Sequence, residues 1–338
     1  MNAGTHHNVI KVGVIGAGMM GEVHARTLTD SVPGVLVTAV HDTYPGRAAA
    51  VAAAVGAEAF DDVEALLDVV DAVVIASPDE AHAEQTLAAL ARGLHVLCEK
   101  PLATSADAAR SIVDAETAIG RRLVQVGLMR EFDPGHAEIA EAARAGTLGD
   151  VVVTRSVHLN PRPWVFPMPA ERAITQSMIH DIHSVRFLSG AEVDYADVDS
   201  VADPATGSIR YVAARLGMSD GSLGLIDLNV GSGYGYRVDA EVIGTAATMA
   251  TVDPATTTTW RAGSVSSAVP DNWPDRFELT YRDELVAWVA SIRSGRPVGA
   301  SAWDGYMANV VADACVRSER EGRRVAIERP DRADLYRR

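Results

Sequence analysis

The chain has 338 residues, with 45 acidic against 30 basic side chains and a formal net charge of −15. Hydrophobic residues make up 48% of it, which suffices for packed cores and excludes disorder of the whole chain. A chain of this length is expected to form two domains, because single cores stop growing at roughly 250–300 residues. The negative charge argues against a nucleic-acid or anionic-membrane binder, since phosphates repel an acidic surface.

Cysteine content and hydropathy indicate the compartment. Cys98 and Cys315 are the two cysteines of the chain, and they are expected to be free thiols in a reducing cytosol. Residues 1–11 lack the apolar core of a signal peptide. No uncharged apolar run approaches the roughly 20 residues that span a bilayer. We therefore expect a cytoplasmic protein.

The first hundred residues alternate short apolar runs with helical patterns. Because the strands are apolar throughout, they predict a parallel sheet covered on both faces, and right-handed crossovers then give a doubly wound α/β sheet. The predicted strands are 9–15, 35–40, 72–76 and 94–98, and the predicted helices are 19–28, 46–55 and 80–92.

After about residue 125 the pattern changes to longer strands that alternate apolar and polar residues, which is typical of an antiparallel sheet with one solvated face. The predicted strands are 151–158, 208–216, 222–230 and 236–243, the helices are 177–188, 283–294 and 303–321, and 251–274 is a predicted long loop. The expected domains are residues 1–125 and 126–338, and the last helices are candidates for packing back on the first domain.

The segment Gly16-Ala17-Gly18-Met19-Met20-Gly21 matches the G-x-G-x-x-G pattern, directly after a predicted strand and at the start of a predicted helix. In a dinucleotide-binding loop the first glycine permits a tight turn, the second lets the backbone approach a pyrophosphate, and the third lets helix and strand pack closely. The helix N-terminus then offers free N–H groups to the phosphates.

Asp42 strengthens this interpretation. It follows the second predicted strand, 42 − 21 = 21 residues after Gly21. An acidic residue at about this distance typically binds the adenine-ribose hydroxyls, and its charge repels a 2′-phosphate. NAD is therefore favoured over NADP, although the nearby Arg47 leaves some tolerance for NADP open.

The segment Cys98-Glu99-Lys100-Pro101 follows the fourth predicted strand. Pro101 keeps Lys100 out of the α conformation, so the chain turns at the carboxyl edge of the sheet, where doubly wound folds bind ligands. A lysine at this edge can polarise a substrate oxygen. Both the cis and the trans form of the Lys100–Pro101 bond are open at this stage.

These motifs resemble those of the glucose–fructose oxidoreductase, inositol dehydrogenase and rhizopine catabolism (Gfo/Idh/MocA) oxidoreductases. The resemblance rests on the glycine loop with His24, on Ser77-Pro78 with His82, and on Glu99-Lys100-Pro101. Within the family the chain is most similar to the inositol 2-dehydrogenase branch, at 127–130, 158–161, 234–236, 302–306 and 313–315. The resemblance spans almost the whole chain.

The resemblance implies an N-terminal Rossmann domain and a C-terminal α/β domain with a large open, mostly antiparallel sheet that commonly mediates dimers or tetramers. It also implies NAD-linked oxidation of a secondary alcohol on a cyclic polyol or sugar. The implied cofactor-binding residues are Gly16, Gly18, Met19, Met20, Gly21, Asp42, Ser77, Pro78, His82, Glu99 and Lys100. The implied substrate contacts are Arg130, His158, Asn160, Ser177 and Tyr236, for each of which a structural role is the alternative.

The implied catalytic residues are Lys100, His180 and Gln176. Gln176 and His180 are four residues apart and share a face of the predicted helix. Relatives usually have Asp at the first position, whereas Gln176 is neutral and can only hydrogen-bond an imidazole or a hydroxyl. Asp181 does not restore the pattern, because on a helix it points about 100° away from His180.

Two further features of this region have alternative interpretations. His183 stands where the family often has Asp, and with His180 it could share a metal. No third ligand has convincing spacing, so we expect no metal and interpret His183 as a packed or solvated residue. Residues 161–169, which include Trp164, form either a loop over the site or an ordinary surface loop.

The expected function is NAD-dependent oxidation of an inositol-type polyol or sugar to a ketone, with His180 as the base and Lys100 polarising the oxygen. Because Gln176 replaces the usual Asp, two other classes stay open. One is a cofactor-binding sensor or regulatory protein with little turnover. The other is an NAD-using relative of altered chemistry, such as a reductase, an epimerase or a hydrolase that retains its NADH. A homo-oligomer, a dimer or a tetramer, is expected by resemblance.

Overall fold

A computed structural model of the chain describes residues 9–161, 168–252 and 257–337. These residues form two compact units. The first comprises 9–129, 281–306 and 332–337, and the second comprises 130–280 and 307–331, within the described ranges. Residues 281–306, which fall in the C-terminal domain of the sequence analysis, thus group with the N-terminal residues. Most of the predicted loop at 161–169 lies outside the described residues.

The N-terminal part alternates strands and helices. Its elements are β1 (Ile10–Ile15), α1 (Met19–Ser31), β2 (Val35–His41), α2 (Pro45–Val55), β3 (Glu58–Phe60), α3 (Val63–Leu67), β4 (Ala72–Ile75), α4 (His82–Ala91), β5 (His95–Cys98), α5 (Ala106–Ile119) and β6 (Val124–Val126).

The rest of the chain has longer strands. Its elements are α6 (Pro134–Arg144), β7 (Val151–Asn160), α7 (Ala170–Arg172), α8 (Ile179–Ser189), β8 (Val193–Ala202), β9 (Ile209–Met218), β10 (Leu223–Val230), β11 (Arg237–Gly244), β12 (Thr248–Ala250), β13 (Thr258–Arg261), β14 (Ser264–Ser267), α9 (Trp273–Ser294), α10 (Ala302–Glu321) and β15 (Val325–Ala326).

The six-stranded sheet of the first unit has the order β3-β2-β1-β4-β5-β6, and all its paired strands run parallel. This is the strand order of dinucleotide-binding doubly wound folds. Val12, Val14 and Val74 have no exposed surface, because helices cover both faces of such a sheet. The predicted parallel α/β sheet is therefore confirmed.

The seven-stranded sheet of the second unit has the order β12-β11-β7-β10-β9-β8-β15. Only β7 and β10 pair in parallel among these described strands, and the other pairs are antiparallel. Along β10, buried residues alternate with half-buried ones, so one face packs on the core and the other is more open. The predicted large, mostly antiparallel sheet is confirmed.

Some elements differ from the predictions. Part of the predicted loop 251–274 is a hairpin, β13 and β14, joined by Ala262 and Gly263, which both have positive φ, +48° and +77°. A two-residue turn of this kind needs positive φ at both positions, and Ala-Gly is a weak signal for it. A π-helical segment at Ala173–Met178 precedes α8, so the helix begins before the predicted residue 177.

The state of the cysteines and the character of the helices bear on the expected compartment. Cys98 and Cys315 are buried and carry free thiols. None of the helices within the described residues combines the length and the apolar character needed to cross a membrane.

Candidate active site

The glycine loop is closed on one side and open on the other. Gly16 has φ of +90°, and a Cβ there would lie 2.5 Å from the backbone of Ala76. A Cβ on Gly21 would lie 1.7 Å from the Gly16 carbonyl oxygen. Gly18, at the N-terminus of α1, would meet no atom within 4 Å. The open side at Gly18 therefore fits the approach of a pyrophosphate.

The first residues of α1 complete this cradle. Met19 is 64% exposed and Met20 is half-buried. The first helical hydrogen bond runs from the Glu22 N–H to the Gly18 carbonyl. The N–H groups of the first turn are thus left without helical partners and can receive phosphate oxygens.

Asp42 lies directly after β2 and its side chain is hydrogen-bonded to the backbone of the glycine loop. Its Oδ2 accepts the Ala17 N–H and its Oδ1 accepts the Tyr44 N–H, both at 2.8 Å, and Arg47 Nη1 lies 3.4 Å away. Burial acts to raise the pKa of Asp42, but the two N–H donors and the Arg47 charge hold this pKa below its ordinary value. A permanent carboxylate therefore stands beside the loop, as NAD recognition requires.

Glu99 connects α1 with the turn that carries Lys100. Its Oε1 lies 2.8 Å from His24 Nε2, and its Oε2 accepts the Lys100 N–H at 3.2 Å. Burial acts to raise the pKa of Glu99, whereas His24 and Lys100 together hold it below its usual value. A Cβ on Gly127 would lie 3.0 Å from this carboxylate, so only a glycine fits there easily.

Lys100 is half-buried and precedes a cis peptide bond to Pro101. It is one of two lysines among the 30 basic residues of the chain, the other being Lys11. An ammonium is a compact point charge, in contrast to the planar guanidinium that the chain uses elsewhere. The sequence thus retains a lysine at the position where polarisation of one oxygen was predicted.

His82 joins two loops of the same unit. Its Nδ1 lies 2.7 Å from the Pro101 carbonyl oxygen and its Nε2 lies 2.9 Å from that of Ser77. A carbonyl oxygen only accepts, so both contacts are hydrogen bonds when both ring nitrogens carry a proton. Burial acts to lower the pKa of His82, but Cys98 and the two carbonyls raise it to about 10.

In the second unit, three of the predicted substrate residues meet around Asp181. Arg130 Nη1 donates to Asp181 Oδ1 at 2.6 Å, His158 Nδ1 lies 3.0 Å from Oδ2, and Ser156 Oγ donates to Oδ1 at 2.8 Å. Tyr236 extends the group, with its hydroxyl 3.3 Å from His158 Nε2. We call these five residues the Asp181 cluster.

The cluster is deeply buried: Asp181 has no exposed surface, and the predicted residues Arg130, His158 and Tyr236 are 1%, 3% and 5% exposed. Burial acts to raise the pKa of Asp181, yet Arg130 and His158 hold that pKa well below its usual range. Burial raises the pKa of Tyr236, which stays a phenol. The His158 ring thus lies between the Asp181 carboxylate at Nδ1 and the Tyr236 hydroxyl at Nε2. The proposed substrate contacts of these three residues stay predictions.

His180, the predicted base, lies next to this cluster in the chain. His180 and Gln176 are both half-buried, His180 in α8 and Gln176 in the π-helical segment. Ser184 Oγ donates to the His180 carbonyl at 2.9 Å and accepts from Arg130 at 3.4 Å. Arg172 Nε donates to the Gln176 amide oxygen at 2.8 Å.

The other predicted residues are placed as follows. Ser77 donates to Gln85 Oε1 at 2.6 Å, and Pro78 is exposed in the loop after β4. Asn160 is half-buried at the end of β7, and Ser177 is half-buried in the π-helical segment.

Further buried polar pairs lie in the second unit. His183 Nε2 lies 2.8 Å from Glu131 Oε1, so His183 is a packed residue. Asp133 lies between His136 and Arg276, at 2.7 and 2.8 Å. A local signal for Asp133 is its position directly before the Pro at the start of α6, where its side chain accepts the His136 N–H. Among the described residues no group of three or more His, Cys, Asp or Glu could hold a metal.

Known proteins resemble the chain along nearly its whole length. A model described as the oxidoreductase family with an NAD-binding Rossmann fold matches residues 10–128, and one described as the GFO/IDH/MocA C-terminal domain matches 136–250. Inositol 2-dehydrogenase 1 of Saccharopolyspora erythraea is 40% identical over 334 residues, which are 97% of this chain and 99% of that protein. Inositol 2-dehydrogenase of Rubrobacter xylanophilus is 41% identical over 343 residues, 97% and 96% of the two chains.

A solved structure is similar as well. The crystal structure of myo-inositol dehydrogenase from Lactobacillus casei, in complex with NAD(H) and myo-inositol, has a TM-score of 0.93 and 31% identity. The match covers 97% of this chain and 100% of the Lactobacillus casei chain. The fold and the glycine loop thus define an NAD-binding oxidoreductase. The chain belongs to the Gfo/Idh/MocA family of oxidoreductases, which confirms the resemblance seen in its motifs, and its cofactor is NAD.

Two glycine substitutions separate cofactor binding from folding. Gly18→Ala should leave stability nearly unchanged, because its Cβ meets no protein atom, but weaken NAD binding about tenfold or more by obstructing the pyrophosphate. Gly21→Ala should lower the free energy of unfolding by roughly 1–3 kcal/mol, because its Cβ overlaps the Gly16 carbonyl. Fluorescence titration with NADH and urea denaturation measure the two effects. Unchanged affinity of the Gly18→Ala variant would contradict the placement of the pyrophosphate.

The raised pKa of His82 predicts a pH dependence of stability. Its pKa is raised to about 10 in the folded protein from 6.5, so the added stability is fully present below about pH 6.5 and is lost as the pH rises through about 10. The difference in free energy of unfolding between wild type and His82→Gln should shrink over this range in urea denaturation. The ring-proton NMR shifts of His82 report its protonation directly. A neutral ring at pH 8 would be inconsistent with two donated hydrogen bonds.

Proposed function

We propose that the protein catalyses NAD-dependent oxidation of a secondary alcohol on an inositol-type cyclic polyol to a ketone. The observation that carries the proposal is the full-length similarity to the myo-inositol dehydrogenase of Lactobacillus casei, which was crystallised with NAD(H) and myo-inositol. The inositol 2-dehydrogenases of Saccharopolyspora erythraea and Rubrobacter xylanophilus support the same substrate class. The enzyme class is an NAD-dependent dehydrogenase acting on CH–OH groups.

The glycine loop and Asp42 hold the dinucleotide in this proposal. When bound, NAD accepts the hydride from the carbon that carries the reacting hydroxyl. The overall change is alcohol plus NAD⁺ to ketone plus NADH plus one proton. Since the hydride leaves with both bonding electrons, the protein has to remove the hydroxyl proton and stabilise the oxygen while the carbonyl forms.

His180 is the proposed base and Lys100 the proposed electrophile. The imidazole of His180 takes the hydroxyl proton, directly or through a water molecule. The Lys100 ammonium donates a hydrogen bond to the same oxygen and stabilises its developing negative charge. The Asp181 cluster supports this assignment for His180, because Arg130 donates to the Ser184 hydroxyl, which in turn donates to the backbone carbonyl of His180. Glu99 supports it for Lys100 by accepting that residue's N–H.

Gln176 is the proposed partner of the neighbouring substrate hydroxyl or of the imidazole. Its amide oxygen, which accepts from Arg172, has a second lone pair for an imidazole N–H, and its NH₂ group is the proposed donor to a substrate hydroxyl. Arg130, His158, Asn160, Ser177 and Tyr236 are the proposed further contacts to polyol hydroxyls, with Arg130, His158 and Tyr236 acting through the Asp181 cluster. We also propose that the protein works in the cytoplasm as a homo-oligomer, a dimer or tetramer, which light scattering of the purified chain would measure.

Turnover with a panel of polyols tests the proposal. Incubation with NAD and myo-inositol, scyllo-inositol, hexoses or their acids should raise the NADH absorbance for at least one cyclic polyol. Lys100→Ala should lower kcat/KM by about 10²-fold or more, because the oxygen loses its charged donor. Lys11→Ala removes the other lysine, exposed on β1, and should leave the rate unchanged.

The panel also separates the alternatives. A flat response to all substrates, in protein that still binds NADH, would contradict turnover and favour the sensor or regulatory protein. NADH that stays bound through purification and turnover would favour the relative of altered chemistry.

The unusual glutamine gives a second prediction. Gln176→Asp places a carboxylate near His180, where it stabilises the imidazolium and makes His180 a stronger base. The rate on myo-inositol should rise about tenfold, which is a part of the 10²–10⁴-fold that general bases typically contribute. Gln176→Asn has the same length as Asp without the charge and is the matched control. If neither variant gains activity on myo-inositol, the position is adapted to another substrate.

A further inference from the structure

A cavity of about 420 Å³ lies in the first unit, away from the carboxyl edge of its sheet. Its walls come from the first residues of β5 and β6, the loop between α5 and β6, the second half of α9, and Leu335. His95, the first residue of β5, lines this cavity, whereas Lys100 follows the last residue of that strand. Doubly wound folds bind their dinucleotide at the carboxyl ends of the strands, so this cavity is a separate place.

The cavity is basic in an acidic protein. His95, Arg121 and Arg122 line it, and no Asp or Glu is among the described residues that do so. The chain as a whole carries a net charge of −15. Burial, together with the charge of Arg121, holds the pKa of His95 below its ordinary value. The positive charge of Arg121 therefore reaches the His95 side chain in the wall of the cavity.

Buried polar atoms in the wall lack partners. Gln125 is 3% exposed, and neither its amide oxygen nor its amide nitrogen has a hydrogen-bond partner in the part of the chain that the structure describes. The buried Nε of Arg122 also has no hydrogen-bond partner among the described residues. Buried polar groups nearly always find a protein or solvent partner, so these atoms are an unusual feature next to the cavity.

The loop that carries both arginines is held in place. Glu116, which has no exposed surface, accepts the N–H groups of Leu123 and Val124 and the hydroxyl of Tyr336. These three donors fix the chain directly after Arg122. The site is therefore preformed, which lowers the entropic cost of binding.

The remaining wall is apolar. Trp288, Ile292 and Val298 line it, and Trp288 is 1% exposed. A bound molecule would thus meet guanidinium groups on one side and an aromatic and aliphatic surface on the other. Guanidinium groups bind carboxylate and phosphate through paired hydrogen bonds.

We propose that this cavity binds a small organic oxyanion, a carboxylate or phosphate on a compact apolar body, at a site separate from the dinucleotide and the polyol. Arg121 and Arg122 hold the anionic group. The apolar body lies against Trp288. The volume falls within the 300–1,000 Å³ typical of small-molecule sites.

Calorimetry on the full chain tests the site. The protein is saturated with NAD, so that the test anions cannot bind at the glycine loop. Phenyl phosphate, benzoate and inorganic phosphate are the test ligands, and benzyl alcohol is the neutral control. At least one aromatic anion should bind saturably and more tightly than inorganic phosphate, while benzyl alcohol should not bind. Stronger binding of phenyl phosphate would identify a phosphate site, and stronger binding of benzoate a carboxylate site.

Variants locate the binding. Arg121→Gln with Arg122→Gln should weaken the preferred anion at least tenfold. Arg215→Gln, an exposed residue of β9 that pairs with Asp197, removes the same charge elsewhere and should have no effect. In the unmodified protein, NMR titration should show the His95 ring becoming more basic when the anion binds. Absence of saturable binding, binding insensitive to the double substitution, or an unaffected His95 would each overturn the proposal.

Discussion

The buried contact between Glu99 and His24 is the interaction on which the proposed chemistry depends. It joins the helix that begins at the glycine loop to the turn that carries Lys100, at 2.8 Å and out of solvent. A buried carboxylate is stable only when its oxygens are well paired, and the second oxygen of Glu99 is paired with the Lys100 N–H. The same carboxylate thus fixes both the cofactor helix and the backbone of the proposed electrophile.

The second unit uses the same physical device around Asp181. A carboxylate without exposed surface is neutralised by Arg130 and accepts from Ser156, and its network reaches the backbone of His180 through Ser184. Removing one member of a buried charge pair is costly, because the other charge stays without compensation. The Asp181 cluster therefore anchors α8, the helix of the proposed base His180, through Asp181 and Ser184 and not through Gln176.

Sequence alone predicted the features that depend on local pattern. Buried parallel strands appear as continuous apolar runs, and the glycine loop and Asp42 have a fixed spacing, so both could be found. The Asp181 cluster could not be found in this way, because Arg130 and Ser156 are 51 and 25 residues from Asp181 and meet it only in the folded sheet. Helix geometry correctly separates Asp181 from the face of His180, but it does not reveal what faces the carboxylate.

Other differences have equally specific causes. The strand β8 was not predicted, because Asp194, Asp197 and Asp199 occur within it. Its buried positions, Val193, Ala196 and Val198, provide the apolar pattern, and the acids lie where salt bridges with Arg329 and Arg215 satisfy two of them. Acidic residues within the strand, together with a shift of register between Val193 and Tyr195, thus hide the apolar pattern of its inner face.

The scarcity of lysine has a practical consequence for studying the site. With Lys11 and Lys100 as its two side-chain amines, the protein offers few targets to reagents such as activated esters or aldehydes. A Lys11→Arg background leaves Lys100 as the sole lysine. A covalent label or a spectroscopic reporter attached through amine chemistry would then mark one defined side chain, in the turn after β5, besides the α-amino group of the chain.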